Sequence, residues 1–285
     1  MVTGHYPTSL KEALALLEKH QGALLISGGT DVMVVKKEAE HVIFLNQIEE
    51  LKHVEEAKEA AHGKSILRIG AGVTYAHMLS HPLIPKVLKQ AVLGIASPAI
   101  RNIGTMAGNI CNASPAGDTL PVLYALDAKV IIHGNEAGKM NTRKVPIEAF
   151  IQGIRKIDLK PTELVAAIEI PIEADEKMNR CAYEKVGARK SEAISKLSFI
   201  GMAEVEEGTV KAIKIAFGSV AITVVRRREL EEQLIGKRVE ILKAAKEKIL
   251  REYAAFINPI DDQRSTAAYR KSVCMNLLRD FLENL

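Results

Sequence analysis

The sequence predicts an α+β protein in two parts, and three observations lead there. Up to Ile170 the chain alternates apolar strand-like runs with helical patterns, punctuated by glycine-rich turns. A polar connector, Pro171 through Asn179, follows. Beyond it the strands come first and the helices last, the order of a sheet covered by helices on one face. With 285 residues, about two domains are expected.

Ser9 and Glu12 have the spacing of a capping box, and Leu10, Ala13, Leu14 and Leu17 recur at helical intervals behind it. The run Ala23 to Ile26 reads as a buried strand leading into Ser27-Gly28-Gly29-Thr30-Asp31 and a short helix, Val32 to Val35. Strands are expected at Val42–Leu45 and Ser65–Ile69, with Thr74 capping a helix through His77 and Leu79. A helix from Lys86 to about Ile95 runs into residues 96–118, ASPAIRNIGTMAGNICNASPAGD, a composition poor for both helix and strand. Asp118 is placed to cap a helix over Thr119–Leu126, with Pro121 in its first turn. A strand at Ala128–His133, a turn at Gly134-Asn135 and a strand at Leu164–Ile170 complete the first part. In the second part, strands are expected at Cys181–Val186, Leu197–Val205 and Val210–Val220, the last two joined by a tight turn at residues 206–209. Helices are expected at Arg227–Ile235, Val239–Phe256 and Ser265–Leu282.

Composition narrows the function. The chain is 47% hydrophobic and 26% charged, with mean hydropathy near zero, which excludes disordered and collagen-like classes. No run approaches the roughly 18 apolar residues of a membrane span, and the first residues lack a signal peptide's pattern, so a cytoplasmic location is expected. Net charge is only +4, weak for a protein that works by neutralising phosphates. The run Arg226-Arg227-Arg228 is followed at once by Glu229, Glu231 and Glu232 and reads as a solvated helix start. Cys111, Cys181 and Cys274 are dispersed, so no cysteine-held iron–sulfur cluster is expected on this chain. No histidine or carboxylate spacing resembles a metal site, and His53, His62 and His81 read as residues without a role.

Familiar nucleotide motifs fail. Gly70 and Gly72 open a G-x-G-x-x-G pattern, but Tyr75 stands where the third glycine belongs. Gly63-Lys64-Ser65 resembles the end of a phosphate loop, but Lys58 replaces the required earlier glycine. Two glycine-rich turns remain, Ser27–Asp31 and Gly104–Asn109. Glycine lets backbone N–H groups approach an oxyanion, and successive N–H groups in a turn form an anion-binding nest. Each is explained equally as a tight turn, but the 23 residues of the second stretch favour a loop that wraps a ligand, and the pair suits a diphosphate.

The segments LLISGGTDVMV (24–34) and IRNIGTMAGNICNASPAGDTLPVLYALDAKV (100–130) closely resemble the FAD-binding subunit of the molybdenum hydroxylases. That family includes xanthine dehydrogenase and the medium subunit of carbon monoxide dehydrogenase. The resemblance continues through LVAAIEIPI (164–172), YEKVGARKSEAISKLSFIGMA (183–203), AFGSV (216–220) and RSTAAYRKSV (264–273). It implies an FAD-binding domain of the vanillyl-alcohol-oxidase (PCMH) type over residues 1–173, with subdomains of about 1–55 and 56–173. A smaller α+β domain of the carbon monoxide dehydrogenase flavoprotein type is implied over 178–285, a three-stranded antiparallel sheet with helices. By the same resemblance, Leu24, Leu25, Ile26, Ser27, Gly28, Gly29, Thr30 and Asp31 wrap the diphosphate and adenosine side of non-covalently bound FAD. Thr105, Ala107, Gly108 and Asn109 form the second phosphate loop. Asp118 serves ribose or ribityl hydroxyls, Val165 lies against the adenine, and Lys185 sits at the flavin end.

Where many relatives carry paired glycines, this chain has Ala107-Gly108, which fits only if φ at Ala107 is negative. The implied mechanism is electron relay without a catalytic residue on this chain. A large subunit carrying molybdopterin hydroxylates the substrate, a small subunit with two 2Fe-2S clusters carries single electrons, and the flavin passes them to NAD or another acceptor. A self-sufficient flavin oxidase or reductase of the same fold is the alternative. It is disfavoured because no substrate-activating base or covalent flavin anchor is evident.

Overall fold

The structure is a computed structural model, and it describes residues 2–35, 38–59, 63–136, 139–189 and 192–285; His62 lies outside them. By contacts the chain forms two compact units. The first comprises Met1–Ile84, Ala96–Ala113 and Asp127–Ile172, and the second Pro85–Ile95, Ser114–Leu126 and Glu173–Leu285.

The first unit holds strands β1 (Thr3–His5), β2 (Leu24–Ile26), β3 (His41–Phe44), β4 (Val54–Lys58), β5 (Ser65–Gly70), β6 (Lys129–Glu136), β7 (Lys139–Pro146), β8 (Ile151–Gly153), β9 (Lys156–Ile157) and β10 (Glu163–Pro171). Three form a parallel sheet ordered β1-β3-β2. Five form an antiparallel sheet ordered β4-β5-β10-β6-β7, while β8 and β9 make a small hairpin. Central β10 is buried along almost its whole length, which explains its apolar run Leu164–Ile168. The helix Leu10–Lys19 begins as the capping-box spacing predicts, with Ser9 Oγ accepting from the Glu12 N–H, and buries Ala13, Leu14 and Leu17. It packs on β6 and β10.

Strands β11 (Arg180–Val186), β12 (Leu197–Glu206), β13 (Thr209–Gly218) and β14 (Val225–Arg226) form the antiparallel sheet of the second unit, in that order. The helices Lys86–Leu93 and Leu120–Ala125 join it, the first against β11 and the second against β12 and β13. The C-terminal helices Arg228–Leu234, Val239–Ala244, Lys246–Ala254 and Ala267–Glu283 complete the unit. Phe199, Phe217, Tyr253 and Phe281 interlock in its core with ring centroids 5.3–6.0 Å apart. The hairpin between β12 and β13 turns on Glu207 (φ 48°) and Gly208 (φ 73°), the paired positive φ values of a two-residue turn that follows sheet twist.

Several sequence expectations need correction. The C-terminal sheet has four strands, since β14 is two residues long and too short to show a periodicity. Residues 96–118 are not wholly irregular: Ser97 and Thr105 cap short helices over Pro98–Arg101 and Met106–Asn112. Gly134 and Asn135 continue β6, paired to Asn141 and Met140 of β7. The expected helix over Val239–Phe256 breaks at Ala245. The Arg226 side chain is not solvated. It is only 5% exposed and grips the equally buried Glu231 at 2.9 Å, while Arg227 stacks 4.2 Å over the Phe256 ring. Among the described residues, no helix is long and apolar enough to cross a membrane.

Candidate functional site

Leu24, Leu25 and Ile26 form β2, half-buried and paired to β3. The chain then leaves the sheet through Ser27-Gly28-Gly29-Thr30-Asp31 into the short helix Val32–Val35. Gly29 has φ +70°, a conformation that favours glycine, and a Cβ on Gly28 would lie 2.0 Å from the Ile103 carbonyl oxygen. The second glycine-rich stretch is therefore seated directly against the first, and the two turns that the sequence paired are brought together. Among the described residues, the N–H groups of residues 27–31 donate to no other group of the protein. Such a row of half-buried N–H donors is open to an acceptor such as a phosphate oxygen.

Thr105 caps the helix Met106–Asn112, its Oγ1 accepting from the Gly108 N–H at 3.1 Å, and its carbonyl accepts from Asn109 N–H. Ala107 is buried in the first turn of that helix and is not among the positive-φ residues, so its methyl group fits. Gly108 is exposed and Asn109 half-buried. The helix ends on Ala113 in a left-handed conformation, φ 46°, where the Ala113 carbonyl accepts from Arg155 N–H at 3.1 Å. The Arg155 guanidinium in turn pairs with Asp31 at 2.9 Å. Sequence reasoning missed Arg155, which ties the far end of one loop to the other and occupies the Asp31 carboxylate. Both partners are over 40% exposed, so the pair orients more than it stabilises.

Val165 is buried on β10 beside a register shift, where Ala166 bulges from the β6 ladder and accepts from Ala71 N–H at 2.9 Å. The FAD expected here fits these residues of the first unit. N–H donors without a partner among the described residues, the hydroxyls of Ser27 and Thr30, and an acidic group paired with arginine suit a diphosphate.

Asp118 and Lys185 belong to the second unit, and they meet there. Lys185 Nζ donates to Asp118 Oδ2 and to the Gly94 carbonyl, each at 2.7 Å. Ser195 Oγ donates to Asp118 Oδ1, and the Tyr183 hydroxyl donates to the Asp118 carbonyl at 3.3 Å. Burial pushes the Asp118 carboxyl above its ordinary value, against the opposing pull of Lys185 and Ser195. Asp118 does not cap the helix that follows; Thr119 occupies that position without a side-chain hydrogen bond. Both Asp118 oxygens are thus committed to the protein. A second grouping that spacing did not show lies in the first unit, where His5, His20 and His41 converge.

Comparison with known proteins gives a consistent picture. Residues 1–173 match the family described as the FAD binding domain in molybdopterin dehydrogenase, and residues 182–285 match the CO dehydrogenase flavoprotein C-terminal domain. The chain is 28% identical over 259 residues to a putative xanthine dehydrogenase FAD-binding subunit of Escherichia coli (strain K12), covering 88% of this chain and 85% of that one. It is 30% identical over 275 residues to the glyceraldehyde dehydrogenase medium chain of Sulfolobus acidocaldarius, covering 93% and 91%. Among solved structures, a carbon monoxide dehydrogenase from Hydrogenophaga pseudoflava superposes with a TM-score of 0.87 at 27% identity, covering 98% of this chain and 95% of that one.

Proposed function

The chain belongs to the FAD-binding subunits of the molybdenum hydroxylases, and from that premise we propose that it relays electrons from the 2Fe-2S clusters of a small partner subunit to NAD or another acceptor. In this reading a separate molybdopterin subunit hydroxylates the substrate, and the complex works in the cytoplasm.

The observation that carries the reading is the seating of Gly28 on the Ile103 carbonyl beside five N–H groups that, among the described residues, donate to no protein group. FAD, when bound, supplies the exchange between one-electron and two-electron transfer. Residues of this chain hold it. The Ser27–Asp31 N–H groups bind the diphosphate, Thr105 through Asn109 add the second phosphate loop, and Val165 gives apolar cover to the adenine. Arg155 fixes the loop by holding Asp31. Asp118 and Lys185 act as a pair, anchoring the Gly94 carbonyl and β11 to the start of the helix Leu120–Ala125.

The test has two stages. The purified chain, supplied with FAD, is expected to show flavin absorbance and to release intact FAD in acid. A colourless protein that gains no thermal stability from FAD would sink the reading. In the complex isolated from its host, stripping FAD is expected to abolish NAD reduction while dye reduction by the metal-bearing partners survives, and restored FAD is expected to rescue it. NAD reduction that persists without FAD would overturn the relay.

A further inference from the structure

The three-histidine cluster of the first unit is independent of the cofactor loops and is used by nothing described above. His5 ends β1, His41 begins β3, and His20 terminates the helix Leu10–Lys19 as its C-cap. In the parallel pairing of β1 and β3, Thr3 lies opposite His41 and His5 opposite Ile43. Because side chains alternate along a strand, Thr3, His5 and His41 share one face. The helix end brings the third ring onto that face.

The rings are close. His5 Nε2 lies 3.1 Å from His41 Nδ1, the His20 and His41 centroids are 3.9 Å apart, and those of His5 and His20 are 4.8 Å apart in a stacked arrangement. One ring nitrogen from each residue lies within 4.8 Å of the other two. All three are half-buried. Three imidazoles this close would repel one another if protonated.

We propose that His5, His20 and His41 form a binding site for a borderline divalent transition-metal ion of the zinc class. Three imidazoles with no carboxylate suit zinc, copper or nickel and are a poor match for magnesium or calcium. A tetrahedral ion with bonds of about 2.0–2.1 Å places its nitrogen ligands roughly 3.3 Å apart. The His5–His41 separation already meets this, and a modest ring rotation of His20 closes the rest. Water completes the fourth position on the solvent side. Such an ion clips the short edge strand β1 to β3 and to the helix end, so its effect is on stability, distinct from electron relay.

The test is calorimetric titration of zinc into the chelator-stripped, FAD-loaded full chain. One tight equivalent is expected, together with a rise in the thermal midpoint. His20→Gln and His41→Gln are each expected to weaken that binding by about tenfold or more, a direct ligand counting for no less than the outer partners whose loss costs about 10–100-fold. His77→Gln, in another helix, leaves it unchanged. Zinc binding that survives both cluster substitutions would overturn the proposal, as would a stripped chain that takes up no tight equivalent. If a cluster variant fails to fold, X-ray absorption of the zinc-loaded wild-type chain decides: three imidazole scatterers support the site, and sulfur-dominated scattering refutes it.

Discussion

Gly28 shows how one missing atom decides a site. A Cβ at 2.0 Å from a backbone oxygen cannot be absorbed by a side-chain rotation, so Gly28→Ala must push the two glycine-rich loops apart. Overpacking of this kind costs about 1–3 kcal/mol, which is roughly 5–150-fold in an equilibrium. FAD affinity is expected to fall by that factor, measured by flavin fluorescence titration; unchanged affinity would show that the loop contact does not shape the site. The Asp118–Lys185 pair poses a different question, since both side chains are about 10% exposed or less. Removing one member leaves a buried charge, typically at a cost of about 3–5 kcal/mol. Lys185→Met and Asp118→Asn are each expected to lose that much stability in urea unfolding, and the double variant should recover at least half of it. A double variant as unstable as the sum of the singles would mean that the two do not act as a pair.

At the scale of elements, the long C-terminal helix is tied down before it begins. Asp262 accepts from the backbone N–H groups of Arg264 and Ser265, and Arg270 in the first turn of the helix reaches it at 2.6 Å. Burial pushes the Asp262 carboxyl up, but these hydrogen bonds outweigh it and hold the group at about 2. A carboxyl depressed in the folded state contributes stability that is fully present above its unfolded value of about 3.9 and is lost as pH falls toward 2. Acid unfolding followed by circular dichroism is therefore expected to show a stability loss between about pH 4 and pH 2 that Asp262→Asn removes, at lower overall stability. An identical acid slope in the variant would exclude this anchor. Helices of this kind were legible because apolar periodicity and caps are local signals, as at Ser9 and Thr74. The edge strands β1, β4 and β7 were not, because largely exposed strands carry little hydrophobic pattern.

For the whole molecule, what the sequence showed and what it hid divide along the range of the interaction. Glycine turns, their order and the family resemblance are written in contiguous residues. Arg155 on Asp31 and the convergence of His5, His20 and His41 are made by tertiary structure between distant positions and leave no mark on local spacing. The same distinction applies to the division of the chain. Composition puts a connector after Ile170, whereas contacts assign Pro85–Ile95 and Ser114–Leu126 to the unit that otherwise begins at Glu173. Every residue of the helix Leu120–Ala125 is buried, and the helix packs on β12 and β13. Helix Lys86–Leu93 buries Val87, Leu88, Ala91 and Val92 and packs on β11. Ending the chain after residue 173 removes those strands and leaves both helices with their apolar faces bare. Each fully exposed Leu or Val forgoes about 1.5–3 kcal/mol, and six such side chains, Leu88, Val87, Val92, Leu120, Val122 and Leu123, outweigh the marginal stability of a typical domain. A chain of residues 1–173 is thus expected to aggregate or to bind the hydrophobic dye ANS, and to lose the sharp thermal transition of the intact protein. A soluble, cooperatively folding 1–173 fragment would show instead that these two helices hold without the sheet they cover in the intact chain.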